Sequence, residues 1–412
     1  MTIARNLSVM AQGASSSGIL SPPYGGSTVW QAVQTGNFTA VAGNAYPVNT
    51  TSGAVTVTLP ASPFAGQIVQ VTDYAGTFGT NNCTIGRNGA NINGLASNAV
   101  LGNSRESVAF VYIDATQGWI TYSGLASNPL SYTVPYLVVA GGAGGGATSG
   151  GGGGAGGLLS GSLLLSPSSV CVVTVGAGGA GAATKAVIGA NGVASSISGT
   201  KITTQTSIAG GGGGSGGSTT TTALAIGANG GSGGGGSYTF ISSTIVAQVG
   251  GSGTSGQGFA GGTALGSGQI EGGGGGGSSA VGGNGTGTTG GAGGTGTASS
   301  ITGSSVTYAG GGGGGTGANG GGGTGGAGGS GGGGAGGGGA NVGVAGTANT
   351  GGGGGGGGYN VTDRAGGNGG SGVVILSVPT INYTGAVTGA PTVSTSGSNT
   401  ILTFTTSGSY TA

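Results

Sequence analysis

The chain has 412 residues, with six basic and five acidic side chains, no histidine and a formal net charge of +1. So few charges exclude nucleic-acid binding, which needs clustered Lys and Arg to displace counterions, and the missing histidine excludes a Ser-His-Asp triad. Charged residues are 3% of the chain and mean hydropathy is +0.23, so this is no charged, solvated tail; it must collapse, aggregate or fold.

Residues 1–27 read equally as a flexible terminus or as an N-terminal attachment arm that a partner orders. Ile3, Leu7, Val9 and Met10 are apolar and find little local core, and the turn-like Ser21-Pro22-Pro23-Tyr24-Gly25-Gly26 follows. No apolar stretch of signal-peptide length occurs there, which predicts no signal peptide. No stretch approaches the roughly 18 apolar residues of a membrane span.

Residues 28–124 read as a β-rich oligomerisation module. Ala54 to Pro60 alternates, with Val55, Val57 and Leu59 on one face and threonines on the other. Ile68-Val69-Gln70-Val71 is a second strand, and Asn88-Gly89 is a tight-turn dipeptide. Val108 to Ile113 is apolar on both faces, so both should be buried; symmetric closure, for example into a homotrimer, would supply the missing cover. Cys83 and Cys171 lie far apart with no CxxC; pairing stays open, and neither a disulfide scaffold nor a zinc site is expected.

Phe38-Thr39-Ala40-Val41-Ala42-Gly43, Tyr46, Val55 to Pro63, Asp73, Asn88-Gly89 and Gly118-Trp119 together resemble a small β module found in bacteriophage tail fibres. The resemblance implies a structural, usually trimeric module.

Residues 125–135 read as a linker. Residues 136–378 form the organising segment, in which glycine comes in uninterrupted runs: Gly150–Gly154, Gly210–Gly214, Gly272–Gly277, Gly310–Gly315 and Gly351–Gly358. Glycine pays the largest backbone entropy on ordering, so ordinary helices and strands are disfavoured there. Two apolar segments, Tyr136 to Ala140 and Val373 to Val378, bracket the region and predict paired ends of one domain. Val193 to Gly199 is similar to Thr297 to Gly303, an internal repeat at an offset of 104 residues, each copy followed by a β-like stretch and a glycine run. Residues 379–412, Ser/Thr-rich with one alternating strand from Ile401 to Thr405, read as a separate segment that packs beside the domain or starts another repeat.

Bare glycine chains can order as left-handed helices of three residues per turn, with every N–H and C=O turned outward to neighbouring chains. The fold class expected is therefore mostly β and irregular: a small N-terminal β module, then packed polyglycine II-type helices bracketed by strands. The runs beginning at Gly272, Gly310 and Gly351 are expected in the interior. Tyr136-Leu137-Val138-Val139-Ala140-Gly141-Gly142, the glycine runs after the two β inserts, and Gly366 to Ile375 look like the glycine-rich domain of phage tail fibres and tip adhesins. That likeness implies a sandwich of polyglycine helices binding host surface molecules through loops at its ends.

Five carboxylates, Asp73, Glu106, Asp114, Glu271 and Asp363, leave no adjacent pair for glycosidase chemistry. No GxxxxGK[ST] phosphate loop surrounds Lys185 or Lys201. No catalytic residue, metal site or cofactor is therefore expected. Aromatics on rigid elements suit recognition of glycans or proteins, and the receptor-binding candidates are Phe259, Tyr359 with its neighbour Asn360, Tyr238 and Tyr308. Phe259 and Tyr359 stand between glycines as candidate tips; Tyr238, Phe240 and Tyr308 sit in β-like inserts, where filling local cores is the competing role. Asp363-Arg364 reads as a loop-surface pair. The expectation is a non-enzymatic virion protein, a phage tail fibre made in the host cytoplasm, joined to other tail proteins by its N-terminus and contacting a host glycan or protein. The alternative is a secreted or cell-surface glycine-rich filament or matrix protein, and a glycan-degrading fibre is a third reading that the scarce acids oppose.

Overall fold

The computed structural model describes residues 28–122, 131–217, 222–241, 243–266, 270–317 and 323–412. The expected arm, residues 1–27, and most of the expected linker lie outside the described residues. Among those described, the fold is mostly β, with two single-turn 3-10 segments. The chain divides into two compact units, a β module to Tyr132 joined by Leu164–Pro167, and a glycine-rich unit of Thr133–Leu163 and Ser168–Ala412.

The β module is two sheets facing one core. One orders Val29–Trp30, Asn44–Val48, Ile68–Asp73, Ser107–Asp114 and Gly118–Tyr122; the other orders Phe38–Thr39, Val55–Thr58, Cys83–Gly86 and Ala99–Leu101. From Val29 to Gly86 successive strands alternate between the sheets. Each therefore pairs in parallel with the strand two before it, as in Asn44↔Val69 and Val55↔Cys83. The period-two pattern is as expected: Val55, Val57, Ile85, Val69, Val71, Phe110 and Trp119 point inward and are buried. At Asn88-Gly89 both residues have positive φ, 48° and 92°, as a type I′ turn requires. Within one chain the apolar strand buries one face. Val108 and Phe110 are buried, while Val111 is half-buried and Ile113 exposed.

Asp73 organises the module's tightest loop. Its buried carboxylate accepts N–H bonds from Gly76 (2.9 Å), Thr77 (3.1 Å), Phe78 (3.2 Å) and Arg105 (2.9 Å), which satisfies both oxygens. Glu106 lies close by, and burial, ahead of the Asp73 charge, pushes its carboxyl above the usual range.

In the glycine-rich unit the brackets pair as expected: Tyr136↔Leu376 through Val139↔Val373, antiparallel. They sit inside a sheet ordered Leu158–Leu165, Tyr132–Val139, Val373–Pro379, Asn399–Phe404 and Thr392–Ser396. A further sheet orders Ile202–Ser207, Ser195–Gly199, Val170–Thr174, Gly408–Thr411 and Val387–Thr388. Asn399–Phe404 extends the bracket sheet and Gly408–Thr411 pairs with Val170–Thr174. Cys83 and Cys171 are both free, buried in strands of different sheets, with thiols pushed up to about 12 by desolvation.

Between these strands the glycine runs lie outside helix and sheet, yet their backbone bonds are regular. Residues 150–157 show the rule. Gly150, Gly153 and Gly156 donate to Gly357, Gly354 and Gly351 (3.0, 2.8 and 2.9 Å). Gly151, Gly154 and Gly157 donate to Gly214, Gly211 and Ile208, each at 2.8 Å. Gly152 and Ala155 donate to Gly273 and Gly276 at 2.9 and 3.0 Å. The same segment accepts N–H groups from three further neighbours, around Ala143, Gly235 and Gly312. Every third residue thus addresses the same neighbour, and at each glycine from Gly150 to Gly154 an added Cβ would overlap a neighbouring backbone carbonyl. Gly272–Gly277, Gly310–Gly315 and Gly351–Gly358 are buried throughout, so the three runs expected inside are inside.

The edge of this array is closed by asparagine. Asn191, Asn229, Asn284 and Asn368, all exposed, accept N–H bonds from Gly212 (2.9 Å), Ser252 (2.7 Å), Thr263 (2.8 Å) and Gly181 (2.9 Å) through Oδ1. Each side chain bonds an amide of the adjoining run where the array stops, which leaves fewer backbone groups to water alone. The internal repeat is structural: Ser195–Gly199 with Ile202–Ser207, and Thr297–Ser299 with Val306–Tyr308, are both antiparallel hairpins feeding a buried glycine run.

Candidate recognition surface

The two ends of the array differ. Gly156 bonds Gly351 and Ala140 bonds Gly157 at the end where the strands begin; Gly150 bonds Gly357 at the other, where the chain turns. The turning end is built from residues 147–149, the hairpins Tyr238–Ile241/Thr244–Ala247 and Tyr359–Asn360/Thr362–Asp363, and the segments around Glu271 and Thr316. Thr148 and Ser149 take positive φ (60° and 50°) because the chain reverses in three residues, and both are buried. Ser237 Oγ donates to the Ser149 carbonyl (2.8 Å), and Thr148 N–H donates to the Arg364 carbonyl (3.1 Å), so neighbouring turns tie one another down.

This arrangement divides the aromatic candidates. Tyr359, Asn360 and Tyr238 lie at the turning end; Phe259 and Tyr308 lie at the strand end. Tyr238 is only 2% exposed, packed edge-on against Phe240 with ring centroids 5.6 Å apart. Burial raises its phenol above the usual range, helped by the charges of Tyr359 and Asp363 nearby. Tyr308 is 6% exposed and belongs to the apolar core of Leu137, Val139, Val373, Ile375 and Ile401. Neither ring is available to a receptor: each supplies apolar area that glycine cannot. Phe259 is 46% exposed, but at the strand end.

At the turning end Tyr359 is half-buried and Asn360 exposed, and the hairpin tip between them and Asp363 is Val361, 86% exposed with φ of 64°. Asp363 reaches Lys185 Nζ at 3.9 Å rather than its neighbour Arg364, a long, solvent-accessible pair of little energetic weight. Asn360 also lines a groove of about 500 Å3 with Thr324 and Asn341, walled by the backbone of Gly323, Gly325, Gly336, Gly338 and Gly339. The surface offers amides, a hydroxyl, bare peptide groups and one apolar tip, which suits neutral hydrogen-bonding partners. Sequence reasoning missed Val361 and Asn341. The signal for Val361 was a lone β-branched residue set two positions beyond a candidate ring.

The acids serve the fold, Glu106 by accepting the Asn103 N–H at 3.0 Å. Asp73 serves four backbone amides, Asp114 accepts from Thr116 and Gln117, and Asp363 faces Lys185. Glu271 is buried within the turning end, and desolvation raises its carboxyl to about 6.

No curated protein matches the chain at a significant level. The family model described as glycine-rich domain matches residues 115–379, which takes in the whole array and both bracketing strands. The chain therefore belongs to the glycine-rich domain family.

Proposed function

We propose that this is a non-enzymatic structural protein of a bacteriophage tail fibre, whose glycine-rich unit is a host-surface adhesin. In this reading the glycine runs are polyglycine II-type helices. The three-residue recurrence of their backbone bonds supports that, since such a helix turns once every three residues and presents each peptide to a different neighbour. The array itself carries little side-chain chemistry and leaves recognition to the side chains of its turns and hairpins.

The observation that carries the adhesin reading is the Tyr359–Asp363 hairpin. It places an exposed apolar tip and an exposed amide at the end opposite the strands that lead into the unit. Binding through it engages a host glycan or protein, with Asn360 and Val361 as the contacting side chains. The N-terminal part joins other virion tail proteins. The β module closes as a homotrimer over the outer face of its larger sheet, where Trp30, Ile113 and Tyr122 are exposed beside half-buried Val111 and Ile120.

The reading is tested in particles. Mass spectrometry of purified virions should find the chain, and Asn360→Ala with Val361→Asp should reduce adsorption to the host at least tenfold without changing copy number. A chain absent from virions, or found in a cell-surface matrix instead, contradicts it and favours the secreted filament.

A further inference from the structure

A second cavity lies at the strand end of the glycine-rich unit, between the Thr297–Ser299/Val306–Tyr308 hairpin and the bracket sheet. Its volume is about 550 Å3, within the roughly 300–1,000 Å3 of small-ligand sites. Pro135, Ile301 and Ile401 supply an aliphatic surface. Around it stand the hydroxyls of Ser160, Ser162, Ser300, Ser377 and Ser396 and the amide of Asn399. The hairpin is held close over the sheet: Gly303 has φ of 95°, and a Cβ there would lie 3.0 Å from the Ser396 Cβ.

Three features define what fits. The lining carries no charged side chain, and its one phenol, Tyr136, donates to Gln205 Oε1 at 2.9 Å. An ionic ligand would therefore be desolvated without a counter-charge. Next, Ser377 is only 5% exposed, lines the cavity, and among the described residues its hydroxyl engages no protein group. A hydroxyl that opens on the cavity without a protein partner is free to bond a group that enters it. Lastly, serine hydroxyls both donate and accept, as sugar hydroxyls do, whereas the aliphatic surface matches the C–H face of a pyranose ring.

We propose that this cavity binds one residue of a neutral saccharide, with Ser377 and Asn399 bonding ring hydroxyls and Ile301 and Ile401 packing on the ring face. This site is separate from the turning end and does not depend on the adhesin reading. A monosaccharide of about a dozen heavy atoms should bind with a Kd of roughly 1 mM.

The test titrates the full chain with the methyl pyranosides of glucose, galactose and mannose by calorimetry and saturation-transfer NMR, with glucose 6-phosphate as the charged control. At least one neutral sugar should bind near the expected Kd and glucose 6-phosphate more weakly. Ser300→Trp and Ser162→Trp, both exposed on the rim, should weaken binding at least tenfold with an unchanged melting temperature, and Ser377→Ala several-fold. If no neutral sugar binds at ten times that concentration, or both Trp variants bind as the parent does, or the phosphate binds more tightly, the proposal is overturned. Host adsorption should be unaffected by Ser300→Trp; its loss there, with sugar binding lost in parallel, would overturn the turning-end reading while supporting this one.

Discussion

Replacing Gly312 by alanine adds one methyl group at the centre of the array. Gly312 donates to Gly153 (2.9 Å) and accepts from Gly275 (2.8 Å). A Cβ there would stand 2.6 Å from the Gly354 carbonyl carbon and overlap its oxygen. Carbon atoms rest about 3.5–4.0 Å apart, so two runs must separate by about 1 Å. Bonds near 2.9 Å stretched by that much are lost. Two to four backbone bonds at about 0.5–1.5 kcal/mol each, with overpacking of about 1–3 kcal/mol, outweigh the 0.4–1 kcal/mol or so gained because alanine is less free when unfolded. The net loss is about 3–5 kcal/mol, or roughly 6–15 °C in melting temperature for a unit of this size. Differential scanning calorimetry reads it directly. The control is Gly36→Ala in the β module, where an added Cβ meets nothing within 4 Å and stability should rise slightly. A Gly312→Ala protein melting with the parent would refute the claim that close backbone packing holds the unit.

Other consequences follow from the same geometry. Asn284→Ala removes the acceptor of the Thr263 amide at the array edge and should cost about 1 kcal/mol in denaturant unfolding, whereas Asn284→Gln should not restore the bond because of its longer reach. Asp73→Ala strips the acceptor from four amides and should lower the β module's stability by about 2–4 kcal/mol, leaving the second transition unchanged. Burial lifts Glu271 from 4.5 to about 6. The folded state thus holds this proton more tightly than the unfolded one, so its contribution is complete below pH 4.5 and is lost as pH rises through 6. The loss is about 2 kcal/mol at most, and Glu271→Gln should flatten the pH profile of unfolding. Cys83 and Cys171, buried with thiols near 12, should resist alkylation until the protein unfolds; rapid labelling of the native chain would contradict their burial.

Much of the glycine-rich unit was legible because its apolar and repeated segments stand out against the glycine runs. The apolar brackets had to pair with something, and they pair with each other. The repeated inserts had to be units of structure, and both are hairpins. Partner choice among the runs was not legible, since one glycine peptide is like another and only the turns fix which run lies beside which. The edge asparagines were hidden for a related reason: Asn-Gly reads first as a turn, as it is at Asn88, whereas Asn191 and Asn284 sit in extended runs and reach sideways. In the β module the period of two gave the buried faces but not the sheet to which each strand belongs, so the parallel pairing was unforeseen. Of the receptor candidates, Tyr238 and Tyr308 are core because the glycine runs beside them supply no apolar side-chain volume of their own. The division of the candidates between the two ends, Tyr238 with Tyr359 and Tyr308 with Phe259, depends on tertiary pairing that no local signal carries.

The central claim is that peptide groups bonded run to run hold the larger unit together. Native-state hydrogen exchange read by NMR on glycine amides tests it most directly. The amides of Gly152, Gly153, Gly275, Gly312 and Gly354, all bonded between buried runs, should exchange only by opening of the whole unit, as slowly as those of Val138 and Ile375. Exchange of these glycines at the rate of unprotected chain, while the bracket strands stay protected, would contradict the account.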